Sequence, residues 1–159
     1  ISAEQFDNAI EGFTGAARRL EVAIERPQQK FTVFRDFAHA PSKLKATQSG
    51  VVGSFPERKV TAVFELHTFS SLNKAFLPQY LSSMDSVDKA IVFYDPKVVE
   101  HKRLPAISIQ DVKDAFGRED LEVITSVNSL EKRINAIPKE NHCVLMMSSG
   151  RFGGAEISQ

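Results

Sequence analysis

Four stretches of the chain are apolar at half or more of their positions, and each has the length of a β-strand. They are KVTAVFEL at residues 59–66, KAIVFY at 89–94, LEVITS at 121–126 and CVLMMSS at 143–149. Segments with apolar residues at helical spacing precede or separate them, at residues 41–55, 73–84, 107–117 and 127–137. Strands that are apolar on both faces and alternate with helices are typical of a largely parallel sheet covered on both sides. The pattern therefore predicts an open α/β sheet.

The beginning of the chain has a different pattern. Residues 3–13, AEQFDNAIEGF, carry apolar residues at helical spacing. Residues 18–26, RRLEVAIER, and residues 30–37, KFTVFRDF, have strand patterns and are separated by a segment with turn chemistry. We therefore predict a short helix and a β-hairpin ahead of the alternating strands and helices.

Composition excludes several classes of protein. The 159 residues are 42% hydrophobic, which is enough for a packed core, and 20 basic residues balance 20 acidic ones. A neutral chain has no overall field that attracts nucleic acid or an anionic membrane, so we expect neither as a partner. The sequence has no apolar run long enough to span a membrane and no signal-peptide pattern. The single Cys143 has no disulfide partner within the chain, which is typical of a cytoplasmic protein.

Polar residues and glycine concentrate where three predicted strands end. DFAHAPS begins at Asp36, ELHTFSSLN at Glu65 and SSGRFGGA at Ser148. Ligands of open parallel sheets bind beyond the carboxyl ends of the strands, where the following helices begin. We therefore predict that these three loops form one polar rim.

Two interpretations stay open for each loop. Asp36 is suited to accept hydrogen bonds from a ribose, and His39 to contact a phosphate or a base. The residues by themselves favour a helix cap or turn residue for Asp36 and a loop imidazole bonded to backbone for His39. For ELHTFSSLN, the two interpretations are a ligand site and a polar loop that caps the next helix. The glycines of SSGRFGGA permit close approach of the backbone to a ligand, and Arg151 is available for an anion.

Other chemistries are not supported by the sequence. The four histidines and one cysteine lack the spacing of zinc ligands, and no GxSxG elbow of a serine hydrolase is present. The chain also lacks the GxxxxGK[ST] phosphate-binding loop. The residues by themselves predict a cytosolic α/β domain with a polar site at its strand ends.

The same loops carry a family resemblance. DFAHAP resembles the D-[YF]-A-H-x-P signature that opens the C-terminal domain of the Mur ligases, and RRLE at residues 18–21 resembles the arginine-containing strand that enters this junction from their central domain. ELHTFSSLN is similar to a segment of the L-alanine-adding and muropeptide ligases, and MSSGRFGGA resembles the MSNGGFGG ending of the muropeptide branch. The resemblance covers nearly the whole chain. It implies a Rossmann-like C-terminal domain at residues 31–159, preceded at residues 1–30 by the tail of the central domain and the junction.

The resemblance also implies an activity. Mur ligases make an acyl phosphate from ATP and a UDP-sugar carboxylate, which an incoming amine then attacks. The muropeptide branch joins recycled L-alanyl-γ-D-glutamyl-meso-diaminopimelate to UDP-N-acetylmuramate. In this family the phosphate-binding loop and the Mg2+ ligands belong to the central domain. We therefore expect ATP and Mg2+ to be held mainly there, no catalytic residue in this chain, and no ligation by this fragment alone.

Roles of single residues follow from the matching positions. The resemblance implies that Arg19, Asp36 and His39 contact ATP. It implies that the loops of His67, Ser70, Ser149 and Phe152 bind the incoming amine or peptide.

Two positions depart from the family pattern, and two alternative functions stay open. Ala40 stands where relatives often carry a polar residue, and Arg151 replaces a glycine of the muropeptide pattern. One alternative is a UDP-N-acetylmuramate–L-alanine ligase. The other is a small-molecule-binding α/β module without catalysis. In either ligase, the expected partners are UDP-N-acetylmuramate, the amine substrate, and the enzyme's own N-terminal and central domains.

Overall fold

The computed structural model describes residues 19–157, and these form a sheet of six strands in the order β1-β2-β6-β3-β4-β5. The strands are β1 (Glu21–Arg26), β2 (Phe31–Asp36), β3 (Lys59–Glu65), β4 (Lys89–Phe93), β5 (Glu122–Ile124) and β6 (His142–Met147). β1 runs antiparallel to β2, and all other neighbours are parallel. This arrangement confirms the predicted open, mostly parallel sheet. The helix predicted at residues 3–13 lies outside the described residues.

The predicted hairpin is also confirmed. Glu21 lies opposite Arg35 and Arg26 lies opposite Phe31, with an irregularity in the register after Val22. A short 3-10 turn at Pro27–Gln29 joins the two strands. β1 therefore forms an antiparallel edge of the same sheet.

The last strand is inserted in the middle of the sheet. The chain passes from β2 through a helix to β3, and β6 later fills the space between these two strands. At the carboxyl end, Met147 of β6 pairs with Asp36 of β2 and with Phe64 of β3. Because of this insertion, loops that are far apart in the sequence begin side by side.

Helices cover both faces of the sheet, as predicted. They are α1 (Pro41–Ser54), α2 (Pro96–His101), α3 (Ile109–Phe116) and α4 (Val127–Asn135). One core cluster contains buried residues of α1, α2 and α3, and the other contains Leu130 and Ile134 of α4. Within residues 19–157, none of the helices is both long and apolar enough to span a membrane.

The helix predicted at residues 73–84 is wrong, because this segment forms turns around a 3-10 helix at Leu77–Tyr80. The side-chain oxygen of Asn73 accepts a hydrogen bond from the Ala75 N–H at 2.9 Å, and Pro78 has no N–H to donate to an α-helical bond. Tyr80 holds the segment in place. Its ring stacks on Phe116 at 5.1 Å, and its hydroxyl donates to the His39 carbonyl at 2.6 Å.

A second difference is α2, which lies in a segment that the apolar pattern does not mark as a helix. Its first turn is capped by Asp95, whose carboxylate accepts from the Lys97 N–H at 2.9 Å. Val99 packs this short helix into the core.

His142 predicts a pH dependence of stability. It is buried at the start of β6, with its Nε2 2.8 Å from Thr61 Oγ1, and burial lowers the pKa of the imidazole. The unfolded chain therefore binds a proton more readily than the folded one. The free energy of unfolding should fall as pH drops from about 6.5 toward the lowered folded pKa, by at most about 1.4 kcal/mol per pH unit. Urea unfolding of wild type and His142→Gln between pH 8 and pH 5 measures this, and equal pH slopes would contradict it.

Candidate functional site

The three polar loops predicted from the sequence meet at the carboxyl ends of β2, β3 and β6. The loop after β2 contains Asp36 and His39, the loop after β3 contains His67, and the glycine-rich loop is residues 148–155. The Ser148 N–H donates to the Asp36 carbonyl at 3.0 Å, which continues the ladder between β2 and β6. The predicted rim is therefore a continuous surface.

Glu65, at the end of β3, anchors the glycine-rich loop. Its carboxylate is buried, with 4% of the residue exposed, and it accepts hydrogen bonds from the Ser148 hydroxyl and from the Phe152 N–H at 2.8 Å. The Ser148 oxygen in turn accepts from the Gly150 N–H at 2.7 Å. One buried carboxylate thus holds the loop at two points.

His67 lies next to this anchor and faces outward. Its Nδ1 is 3.6 Å from Glu65 Oε1, which is too long for a hydrogen bond and permits an ion pair when the imidazole is protonated. The ring packs closely on the glycine-rich loop, because a Cβ at Gly150 would lie 2.8 Å from His67 Cγ. Position 150 therefore has no room for a side chain while His67 and Glu65 keep these positions.

A cavity of about 540 Å³ opens beside this contact. His67, Ser149 and Arg151 line it together with glycines of the loop. The Ser149 Oγ is buried and has no hydrogen-bond partner among residues 19–157. One residue of the lining therefore has a buried hydroxyl that no group among residues 19–157 satisfies.

Phe152 is placed differently from the other predicted amine-binding residues. The residue is 8% exposed and belongs to the core cluster that contains Leu130 and Ile134. It also lines a second cavity, of about 300 Å³, together with Asp36, Ser148 and Arg151. A left-handed backbone at Phe152, with φ of 53°, directs the ring inward while its N–H reaches Glu65.

Ser70 lies on the exposed surface of the loop after β3, away from the lining of both cavities. The neighbouring Thr68 folds this loop, since its Oγ1 accepts from the Ser71 N–H at 3.0 Å. Part of the polarity of ELHTFSSLN therefore serves the turn itself.

Asp36 organises the junction between the hairpin and α1. Its carboxylate accepts from the Ala38 N–H at 2.7 Å, the Leu20 N–H at 2.8 Å and the Thr47 hydroxyl at 3.3 Å. Leu20 has a left-handed backbone, with φ of 44°, and the bond to Asp36 holds it there. The turn-cap interpretation of Asp36 is therefore confirmed, and the carboxylate keeps further acceptor positions for a ligand.

Arg19 and His39 are the chain neighbours of Leu20 and Ala38, whose N–H groups donate to Asp36. Arg19 is exposed and directly precedes Leu20. His39 Nδ1 donates to the Phe37 carbonyl at 3.0 Å, and the ring meets Phe37 edge to face at 5.4 Å. This bond leaves Nε2 as the ring nitrogen without a hydrogen-bond partner among residues 19–157, and in the neutral imidazole Nε2 is an acceptor.

Glu65, Ser148 and Gly150 hold the site together, although the sequence pattern assigns no role to them. An acidic residue at the end of an apolar strand, as in KVTAVFE, is the signal that marks Glu65. Its partners follow a strand more than 80 positions later, so the pairing itself has no local signal.

Known proteins are similar to this chain in sequence or in fold. UDP-N-acetylmuramate–L-alanine ligase of Caldanaerobacter subterraneus subsp. tengcongensis is 28% identical over 154 residues, which are 96% of this chain and 32% of the relative. The murein peptide ligase of Psychrobacter arcticus superposes with a TM-score of 0.69 at 22% identity, over 94% of this chain and 30% of that one. The bifunctional folylpolyglutamate synthase/dihydrofolate synthase of Yersinia pestis, complexed with AMPPNP and Mn, has a TM-score of 0.62 at 15% identity, over 94% and 32%.

The chain spans about a third of the length of the curated relative, so the match covers one part of a larger protein. The sequence profile of the family described as "Mur ligase, glutamate ligase domain" matches residues 18–150. This range contains the junction at Asp36, the anchor at Glu65 and the start of the glycine-rich loop. Since the match covers most of the chain, the protein belongs to the Mur ligase family, in its glutamate ligase domain.

Proposed function

We propose that this chain is the C-terminal domain of an ATP-dependent ligase of peptidoglycan recycling. The full-length enzyme joins L-alanyl-γ-D-glutamyl-meso-diaminopimelate to UDP-N-acetylmuramate through an acyl phosphate. The observation that carries this proposal is the cavity of about 540 Å³ beside the anchored glycine-rich loop, because its volume suits a peptide. The structural likeness to a murein peptide ligase supports it.

The domain would act by closing over the nucleotide and positioning the amine. An acyl phosphate is hydrolysed by water, and a closing domain excludes water while it holds the nucleophile in line. The anchored loop with His67 and Ser149 would hold the amine. Within residues 19–157, no group of three or more histidine, cysteine, aspartate or glutamate side chains could hold a metal ion.

ATP binding would use the junction at the end of β2. The ribose hydroxyls would donate to Asp36, and His39 Nε2 would accept from the base, while the exposed guanidinium of Arg19 would face the phosphates. The Leu20–Asp36 hydrogen bond supports this assignment, because it fixes Arg19 beside the carboxylate. ATP itself supplies the phosphoryl group that activates the sugar carboxylate.

A second function has its own support. The curated relative is an L-alanine ligase at 28% identity, so the amine would then be L-alanine in the same reaction. The two functions share the nucleotide junction and differ only in what fills the cavity at His67.

Asp36→Ala should raise the KM for ATP about tenfold or more, since a charged acceptor contributes about 1.5–3 kcal/mol to a hydrogen bond. The variant also loses bonds to Leu20 and Ala38, so its folding must be checked by thermal unfolding. Thr47→Val is the matched control: it removes another hydrogen bond to Asp36 and should leave the KM for ATP unchanged. Steady-state kinetics of the full-length enzyme measure both, and an unchanged KM in Asp36→Ala would remove the ribose role.

Phosphate release by the full-length protein tests the proposed function. ATP, Mg2+ and UDP-N-acetylmuramate are supplied with either the tripeptide or L-alanine, and a reaction without UDP-N-acetylmuramate is the control. Release that requires the tripeptide supports the recycling ligase. Release with L-alanine alone moves the enzyme to the second function, and release with neither contradicts both.

A further inference from the structure

A cavity of about 430 Å³ lies at the amino ends of β3 and β4, at the edge of the sheet opposite the polar loops. It is lined by the end of α1 and the turn after it, by the start of β3 and by the turn before β4. β3 runs from Lys59 at this cavity to Glu65 at the glycine-rich loop, and its seven residues separate the two edges by about 20 Å. The cavity is therefore distinct from the nucleotide junction and from the cavity at His67.

Arg58, in this lining, is a half-buried cation that forms no ion pair with any of residues 19–157. Its guanidinium lies over the Phe55 ring at 4.5 Å, and Nη1 donates to Thr32 Oγ1 at 2.9 Å. Nε is shielded from solvent and has no hydrogen-bond partner in the described part of the chain. A charge that is removed from water is costly unless it is paired. An anionic acceptor would therefore stabilise this side chain.

The surroundings of Arg58 differ from those of Arg118, which is also largely buried. Arg118 pairs with Asp120 at 2.6 Å and donates to main-chain carbonyls. Arg58 lies near the thiol of Cys143 instead, and burial raises the pKa of this thiol although Arg58 acts to lower it. The thiol stays neutral, so it does not balance the charge of the guanidinium.

The other charged groups of the lining leave one carboxylate beside Arg58. Lys59 pairs with Asp88 at 2.9 Å, and Asp88 also accepts from the Val60 N–H at 2.8 Å, so these two charges are already engaged. Glu57 is exposed and forms neither an ion pair nor a hydrogen bond with residues 19–157. The lining therefore has an unpaired anion and an unpaired cation at consecutive positions.

We propose that this cavity binds an apolar α-amino acid. The edge of the Arg58 guanidinium that Thr32 leaves free would bind its carboxylate, and Glu57 would bind its ammonium group. Val52 and Val87 of the lining would contact its side chain. A ligand with a single charge would leave either Glu57 or Arg58 unpaired, which favours the zwitterion. This inference is independent of the proposed function, because it uses no residue of the polar loops.

Isothermal titration of the full-length protein with L-leucine tests the site. N-acetyl-L-leucine and L-leucinamide are the matched probes, because each keeps the side chain and removes one of the two charges. Wild type should bind both more weakly than L-leucine. Arg58→Ala should weaken L-leucine about tenfold or more, because a hydrogen bond to a charged group contributes at least about a factor of ten. Glu57→Gln should weaken it less, since Glu57 is the more exposed of the two.

Two variants control for indirect effects. Thr32→Val removes the hydrogen bond to Nη1 and keeps the guanidinium, so its affinity for L-leucine should stay within about twofold of wild type. Ser149→Ala changes the cavity at His67 and should leave this affinity unchanged. L-leucine should also raise the Tm of wild type and Thr32→Val, but not that of Arg58→Ala.

Three results would overturn the inference. They are absence of L-leucine binding to wild type, equal affinity of wild type and Arg58→Ala, and loss of binding in Ser149→Ala, which would place the ligand at the other edge of the sheet. Equal affinity of wild type for L-leucine and either matched probe would also overturn it, and this comparison needs no variant to fold. Phosphate release is measured separately, so failure of the proposed ligation would leave Arg58-dependent binding of L-leucine intact.

Discussion

Replacing Glu65 with alanine is expected to lower the free energy of unfolding by about 3 kcal/mol, because two buried donors lose their acceptor. These donors are the Ser148 hydroxyl and the Phe152 N–H, and both bond to Glu65 Oε2. The glycine-rich loop would lose its connection to β3, so binding of the amine substrate should weaken as well. Chemical denaturation and peptide titration measure the two effects.

Glu65→Gln is the matched control for this prediction. The amide oxygen can take the place of Oε2 and keep both hydrogen bonds, while the amide nitrogen replaces Oε1 near His67. We therefore expect its stability to stay within about 1 kcal/mol of wild type. Equal loss of stability in the alanine and glutamine variants would show that the charge, rather than the hydrogen bonds, anchors the loop.

Gly150→Ala is expected to destabilise the protein by about 1–3 kcal/mol, as overpacking does in a tightly packed region. The new Cβ would lie 2.8 Å from His67 Cγ and 2.9 Å from Glu65 Oε2. Glu65 is held by the loop itself, so the ring of His67 or the loop must move. The variant should also bind the amine substrate more weakly, since this contact forms one wall of the cavity.

Two further variants make the Gly150 prediction specific. Gly53→Ala introduces the same methyl group in α1, where nothing lies within 4 Å, and should stabilise the protein by about 0.5–1 kcal/mol. In the His67→Ala background, Gly150→Ala should cost less than in wild type, because the ring carbons that it approaches are gone. Thermal unfolding of wild type, the three single variants and the double variant gives both comparisons. Additive effects of the Gly150 and His67 changes would show that the contact with the ring does not limit position 150.

Much of the secondary structure was predictable because its causes are local. β3, β4 and β6 are continuous apolar runs, and burial on both faces of a parallel sheet requires such runs. The prediction of a helix at residues 73–84 was wrong because tertiary contacts outweigh the local helical pattern in this segment. Tyr80 there is held by its contacts with Phe116 and the His39 carbonyl, which no sequence window contains.

The sequence by itself determined the class of fold and the three loops that carry polar chemistry. The tertiary structure decided how these loops combine, since β6 enters between β2 and β3 and carries Ser148 to Glu65, 83 positions earlier in the chain. It also decided that Asp36 supports the hairpin junction, that the ring of Phe152 turns into the core, and that Arg151 stays unpaired among the described residues at the cavity. Burial and turn formation act within a few residues and leave a local pattern. Strand order and the pairing of distant polar groups depend on contacts between segments, which a single sequence does not record.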